Sequence, residues 1–194
     1  MITRQQALKF LNKKLEGGNI IKHMLATEAL MAGVYEFLKT RGETDFDGNK
    51  EEWMMAGLLH DGDYCNEVPP KKQGVQITKW LKKEGYEIPD NVAQAMAAHN
   101  FATGVKPQSL MDWALFCGDS LTGLIVASAL VLPSRKLSDL TVDSVLNRFK
   151  EKNFAKGTRR EEISQCEDEL DIPLPEFVKI VLGAMQKIAP KLGL

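Results

Sequence analysis

The chain has 194 residues and a formal net charge of −1; 44% of its residues are hydrophobic and 26% charged. That length suits one domain, and the near-neutral balance gives no global charge for a nucleic-acid partner or a membrane surface. Cys65, Cys117 and Cys166 are odd in number and include no C-x-x-C pair, which points away from a disulfide framework or zinc ribbon and toward reduced thiols in the cytoplasm.

Hydrophobic periodicity is helical nearly throughout. Thr3 to Gln6 resembles a capping box, and Leu8, Leu11 and Leu15 follow on one face without a signal peptide's apolar centre. Gly17-Gly18 stops that helix. Asn19 is placed to cap the next, whose apolar face carries Ile20, His23, Met24, Thr27, Leu30, Met31 and Val34. Arg41 to Lys50 reads as a loop, and a short helix is expected from about Glu51 to His60. After the irregular stretch at Pro69-Pro70, a helix bears Val75, Ile77, Trp80 and Leu81 and ends at Gly85. Pro89 sits in the first turn of another, with Val92, Ala95, Met96 and His99 on one face.

Ser109 opens a long apolar helix ending near Pro133. The run Ala114 to Leu132 approaches a membrane span in length. Asp119 within it would be costly in hydrocarbon, so a buried core helix is expected. Beyond Pro133 the composition becomes charged. Thr158 to Glu161 matches a second capping box, and Pro173 and Pro175 precede a last helix with the stripe Val178, Val181, Leu182, Met185, Ile188 and Leu192. No strand-period alternation of useful length occurs, so the fold class is all-α. One domain is expected over 1–194, with a core at about 18–132 and a C-terminal helical extension over 133–194.

The chemistry concentrates in His23, the doublet His60-Asp61 and Asp119, each at the core-facing edge of an expected helix. Imidazole and carboxylate together suit Mn, Fe, Co, Ni or Zn and leave room for Mg. Two His and two Asp would leave an octahedral ion open positions for a water and a substrate oxygen, a combination suited to phosphoester hydrolysis. Adjacent helical residues point about 100° apart. His60 and Asp61 therefore reach one ion only where the helix ends or bends, which Gly57 and Gly62 would permit. Asp119 has no Lys or Arg within a turn, and a carboxylate in a dry helix must be paired, coordinated or neutralised. Singly, His23 reads as a core histidine and Asp119 as a cap at a helix break. Their co-occurrence with the doublet is what points to a metal.

The order His23, then His60-Asp61 in AGLLHDGDY, then Asp119 in LFCGDSLTGLI resembles the HD-domain superfamily of metal-dependent phosphohydrolases, over roughly His23 to Leu132. The resemblance implies a helical bundle with His23, His60, Asp61 and Asp119 holding a divalent metal, and a small phosphoester substrate, which includes nucleotides. In binuclear relatives further histidines lie between the doublet and the last Asp. Here His99 stands in AMAAHN, but its neighbour is Asn100, and the stretch after Pro70 reads Lys71-Lys72-Gln73. Asn and Lys replace imidazole poorly, which favours one ion per chain.

Asp63 and His99 are the expected proton-handling residues, with Asp63 alternatively a residue that holds a ligand histidine or a turn residue. Lys72, Asn100, Arg135 and Lys136 are candidate substrate contacts. Lys72 offers a point charge, and Arg135 and Lys136 directly follow the helix bearing Asp119. The wider basic run Arg148, Lys150, Lys152, Lys156, Arg159 and Arg160 either supplies a phosphate clamp or forms a solvated surface. Glu28, one turn beyond His23, is a candidate acceptor behind it, and Cys117 reads as packing. The function expected is metal-dependent phosphoester hydrolysis through a metal-activated water. The alternatives are a non-catalytic metal- or nucleotide-binding sensor and, less favoured, an iron-dependent oxygenase. No nucleic acid or membrane partner is expected. Members of the superfamily are often homodimers, although no coiled-coil seam is visible here.

Overall fold

The computed structural model describes residues 1–15 and 17–194, and all regular elements among them are helices, with no strand. The first capping box forms: Thr3 Oγ1 accepts from the Gln6 amide while the Gln6 side chain accepts from the Thr3 amide, opening α1 (Arg4–Lys14). α2 (Gly18–Arg41) begins behind Gly17, which stands at φ 112°, so Asn19 lies inside the helix rather than capping it. α3 (Lys50–Leu59) opens on another capping box, Asn49 with Glu52. α4 (Gln76–Lys83) and α5 (Asp90–Ala98) follow, with Pro89 at the N-cap of α5. Ser109 Oγ accepts from the Asp112 amide to start α6 (Leu110–Leu130). The rest comprises α7 (Val142–Lys150), α8 (Arg160–Ser164), α9 (Cys166–Glu169), α10 (Leu174–Gln186) and α11 (Ala189–Leu192). The capping box expected at Thr158 does not form; Arg159 takes the N-cap position of α8 without a side-chain bond to it.

α2 is the central post, with α3, α6 and α10 packed along it. α6 is long and apolar enough to cross a membrane by length and composition, yet it lies inside the protein, with Leu115, Leu121, Leu124 and Ile125 fully buried. It is apolar around most of its circumference because α2, α5, α7, α8 and α10 all touch it. Residues 133–194 share this core: Phe177, Val178, Val181 and Met185 of α10 are buried in one cluster with Leu30 and Met31 of α2.

Two glycines set the helix crossings that matter for the site. A Cβ at Gly57 would stand 2.7 Å from the Thr27 carbonyl oxygen, and one at Gly118 2.3 Å from Leu30 Cδ1. α3 therefore approaches the α2 backbone more closely than a side chain would allow, while on α6 the bare Gly118 makes room for the Leu30 side chain of α2. Thr27 is one turn past His23, Gly57 one turn before His60, and Gly118 adjoins Asp119. The close approach of the α3 and α2 backbones, and the seating of the Leu30 side chain against Gly118, bring the four residues together. Gly57 thus serves packing rather than the bend expected of it. The doublet does sit at a helix end: α3 closes at Leu59, and the Gly62 amide turns back to the Leu59 carbonyl at 2.9 Å.

Candidate metal centre

His23 on α2, His60 and Asp61 at the end of α3, and Asp119 on α6 converge on one point. His23 Nε2 lies 3.1 Å from His60 Nε2, 2.9 Å from Asp119 Oδ1 and 3.6 Å from Asp61 Oδ2. His60 Nε2 lies 3.5 Å from each of Asp119 Oδ1 and Asp61 Oδ2. His99, just past α5, brings its Nε2 to 3.4 Å from Asp61 Oδ1. Two overlapping sets could hold a metal ion, His23 with His60 and Asp61, and His60 with His99 and Asp119, each with its ligand atoms within 4.8 Å of one another.

The far side of each ring shows why these nitrogens suit a metal. His60 Nδ1 lies 2.8 Å from the Gly57 carbonyl and His99 Nδ1 2.5 Å from the Met96 carbonyl. A carbonyl can only accept, so both Nδ1 atoms donate. His23 Nδ1 is 3.1 Å from Thr122 Oγ1, whose own proton goes to the Asp119 carbonyl at 2.8 Å, leaving the hydroxyl to accept from the ring. All three imidazoles therefore donate at Nδ1 and turn Nε2 inward, the arrangement that fixes a metal-ligating tautomer.

Without an ion, the cluster compensates its own charge. Burial opposes the charged form of His60, but Asp61 and Asp119 outweigh it and raise the imidazole well above its usual range. Burial likewise pushes Asp119 up, and the hydrogen bonds from His23 and His60 hold it well below the carboxylate range. Asp61 is lowered against the same burial penalty by His60 and His99. Arg159 adds a bond from Nη2 to Asp119 Oδ2 at 3.1 Å, on the oxygen facing away from the histidines.

The cluster lies in an open cavity of about 540 Å³ whose lining includes His23, Asp61, His99, Asn100, Asp119 and Arg159. A groove of about 550 Å³ lies elsewhere, between α2 and α10, but it holds no histidine. Its charges are largely spent on one another, as in Arg4–Glu28, Lys50–Glu36 and Lys179–Glu176.

Several expected roles are corrected. Asp63 is fully buried, and its oxygens accept from the Gly74 and Ile77 amides at 2.8 Å each, so it holds the chain into α4 rather than accepting protons from solvent. Gly74, at φ +84°, presses on the backbone beneath His99: a Cβ there would lie 2.1 Å from the Met96 carbonyl. Lys72 is exposed and outside the cavity lining, as are Arg135 and Lys136. α6 runs eleven residues from Asp119 to Leu130, about 17 Å at 1.5 Å per residue, and carries Arg135 and Lys136 away from the site. Asn100 lines the cavity, but its amide nitrogen is bound to the Pro70 and Gln73 carbonyls at 2.8 and 3.3 Å. Glu28 faces Arg4, not His23. Cys117 and Cys166 are buried free thiols whose burial raises their pKa, that of Cys166 to about 12, which suits packing. Sequence reasoning missed Thr122, which its position one turn beyond Asp119 could have suggested. It also left Arg159 as one of many surface cations, because no spacing rule brings residue 159 to residue 119.

No protein-family model, characterised protein or solved structure matches the chain.

Proposed function

We propose that the chain is a metal-dependent phosphohydrolase of the HD-domain kind, acting on a small phosphoester. The observation that carries this reading is the inward turn of imidazole Nε2 atoms onto two carboxylates in an open cavity, with every Nδ1 already committed to an oxygen. His23, His60, Asp61 and Asp119 would hold one divalent ion of the Mn, Fe, Co, Ni, Zn or Mg group. Such an ion, when bound, supplies an acidified water and polarises a phosphoryl group. His60 is fully buried and serves as the fixed ligand, whereas His23 is a quarter exposed and faces the cavity. His99 Nε2 takes or gives a proton beside Asp61 Oδ1. Both candidate ligand sets share His60, and the Asn100 amide is spent on backbone carbonyls, which favours one ion over two.

The test is elemental analysis of purified wild type beside Asp61→Ala, with hydrolysis of p-nitrophenyl phosphate followed under several divalent metals. The expected result is about one ion per wild-type chain, with ion and hydrolysis both lost in the variant. Retention of both by Asp61→Ala would overturn the reading.

A further inference from the structure

Resting on that phosphohydrolase reading, we propose that Lys156 and Arg159 form an anion subsite on the cavity wall that selects a terminal phosphate, a phosphomonoester rather than a diester. They are the cationic side chains among the residues lining the cavity.

Arg159 is anchored on one side and open on the other. Its Nε donates to Glu162 Oε2 at 2.6 Å and its Nη2 to Asp119 Oδ2 at 3.1 Å. Glu162 is only 9% exposed and acts as a fixed post. Nη1 makes no hydrogen bond among the described residues, and the side chain remains 42% exposed. A planar guanidinium held at two corners presents its remaining donors in a set direction, which suits an oxyanion.

The segment that carries these cations is itself built in place. Arg160 points away from the cavity into the turn that ends α7. Its Nε donates to the Phe149 carbonyl at 2.7 Å, and its Nη2 to the Glu151 and Phe154 carbonyls at 2.9 and 2.7 Å. One guanidinium thus gathers the chain from 149 to 154, and residues 155–159 leave that knot along the cavity. Lys156 is exposed, and its side chain makes no hydrogen bond or ion pair among the described residues, so its ammonium is free for a ligand.

Oxygen counting gives the substrate class. A phosphomonoester presents three non-bridging oxygens and a diester two. With one oxygen directed to the imidazole–carboxylate floor, a monoester still offers one to Arg159 and one to Lys156, whereas a diester leaves one cation unmatched.

The test is calorimetric titration with inorganic phosphate and with dimethyl phosphate. Wild type, Arg159→Gln, Arg159→Lys and Lys156→Gln would each be studied Mn²⁺-loaded and EDTA-treated, with metal content and circular dichroism recorded. In whichever form of wild type binds phosphate, Arg159→Gln should weaken binding at least about tenfold and Lys156→Gln several-fold, with Arg159→Lys in between. Dimethyl phosphate should bind at least about tenfold more weakly than phosphate. Metal content should stay at the wild-type level in Lys156→Gln, whose side chain touches no proposed ligand; in the Arg159 variants, which lose a bond to Asp119, phosphate affinity is compared at equal metal occupancy. Lys156→Gln touches no bond of the fold and keeps the test valid if Arg159→Gln unfolds. Wild-type phosphate affinity in every variant that folds, equal affinity for dimethyl phosphate, or no phosphate binding by wild type in either form would overturn the subsite. A wild type without metal whose EDTA-treated form still loses phosphate binding on Arg159→Gln would support the subsite while the metal reading failed.

Discussion

The Nε2 atoms of His23 and His60 face each other at 3.1 Å, closer than either lies to Asp61. Two ring nitrogens at that distance need a proton or a shared cation between them. Since each Nδ1 already donates to an oxygen, the choice falls on the Nε2 side alone. Protons and a metal would therefore compete for the same atoms, and metal binding, as proposed, should release protons.

This competition fixes a pH dependence. In the metal-free protein His60 is raised above its unfolded value: burial opposes its charge, and Asp61 and Asp119 outweigh the burial. A raised folded pKa contributes stability that is fully present below the unfolded value, about 6.5, and is lost as pH rises through the folded value. The lowered Asp61 and Asp119 act in the opposite sense, contributing above about pH 4 and losing that contribution as pH falls through their folded values. Thermal melts in EDTA between pH 5 and 9 should show Tm falling across the alkaline half, and saturating Mn²⁺ should restore it there most strongly. A flat EDTA profile would contradict the imidazolium–carboxylate cluster.

Thr122 offers a test of the tautomer argument without touching a ligand. Its hydroxyl accepts from His23 Nδ1 while donating to the Asp119 carbonyl, so it steers two candidate ligands at once. Thr122→Val keeps the shape at a position that is 1% exposed but removes the acceptor. Metal affinity should fall about 10- to 100-fold, the usual cost of losing such a partner. Thr122→Ser, which retains the hydroxyl, should recover most of it. Equal metal affinity in wild type and Thr122→Val, by competition with a chromogenic chelator, would refute the assignment.

How much of this was legible in the sequence follows from what each contact depends on. Helices and the faces of His23 and Asp119 came from local periodicity, and apolar burial enforces that pattern directly. The helix-end position of His60-Asp61 was legible because two adjacent side chains cannot otherwise share an ion. Arg159 was not legible: its partner is 40 residues away, and only the path of the chain after α7 brings it back. Asp63 was misread because a carboxylate in a Gly-Asp-Tyr turn looks solvated, whereas the Gly74 and Ile77 amides return to it from the start of α4. Local rules report on a residue's own element and say nothing of an amide that arrives from another.

Asp63→Asn separates a scaffold from a proton carrier. An amide can accept the Gly74 or the Ile77 N–H with its oxygen, but its NH₂ then faces the other donor. One buried backbone amide loses its partner, at about 1–3 kcal/mol. Burial raises the Asp63 pKa, and the bonds from the two amides offset that rise only in part. The expected outcome is a Tm lower by several degrees, with metal content retained. On the proposed phosphohydrolase reading, hydrolysis should persist, reduced by looser seating of His99 above Gly74. Complete loss of hydrolysis at unchanged Tm would instead restore Asp63 to a chemical role.

Gly57→Ala and Gly183→Ala make the same chemical change in two helices and should differ in sign. A Cβ at Gly183 meets nothing within 4 Å, so alanine there should stabilise α10 by about 0.5–1 kcal/mol through helix propensity. The same propensity gain acts at Gly57, but the new methyl would stand 2.7 Å from the Thr27 carbonyl and 2.9 Å from Met31 Cγ. The carbonyl belongs to the backbone of α2 and cannot rotate aside, so α3 must move off α2. Overpacking of that kind costs about 1–3 kcal/mol, more than propensity returns. The displacement also opens the crossing that holds His60 and Asp61 against His23, because His60 Nδ1 is itself bonded to the Gly57 carbonyl. Gly57→Ala should therefore lower both Tm and metal affinity, while Gly183→Ala raises Tm and leaves metal affinity unchanged. Chemical denaturation of the EDTA-treated proteins, paired with metal titration, measures both quantities. A Gly57→Ala protein as stable as Gly183→Ala and with full metal affinity would show that the close α2–α3 crossing does not position the centre.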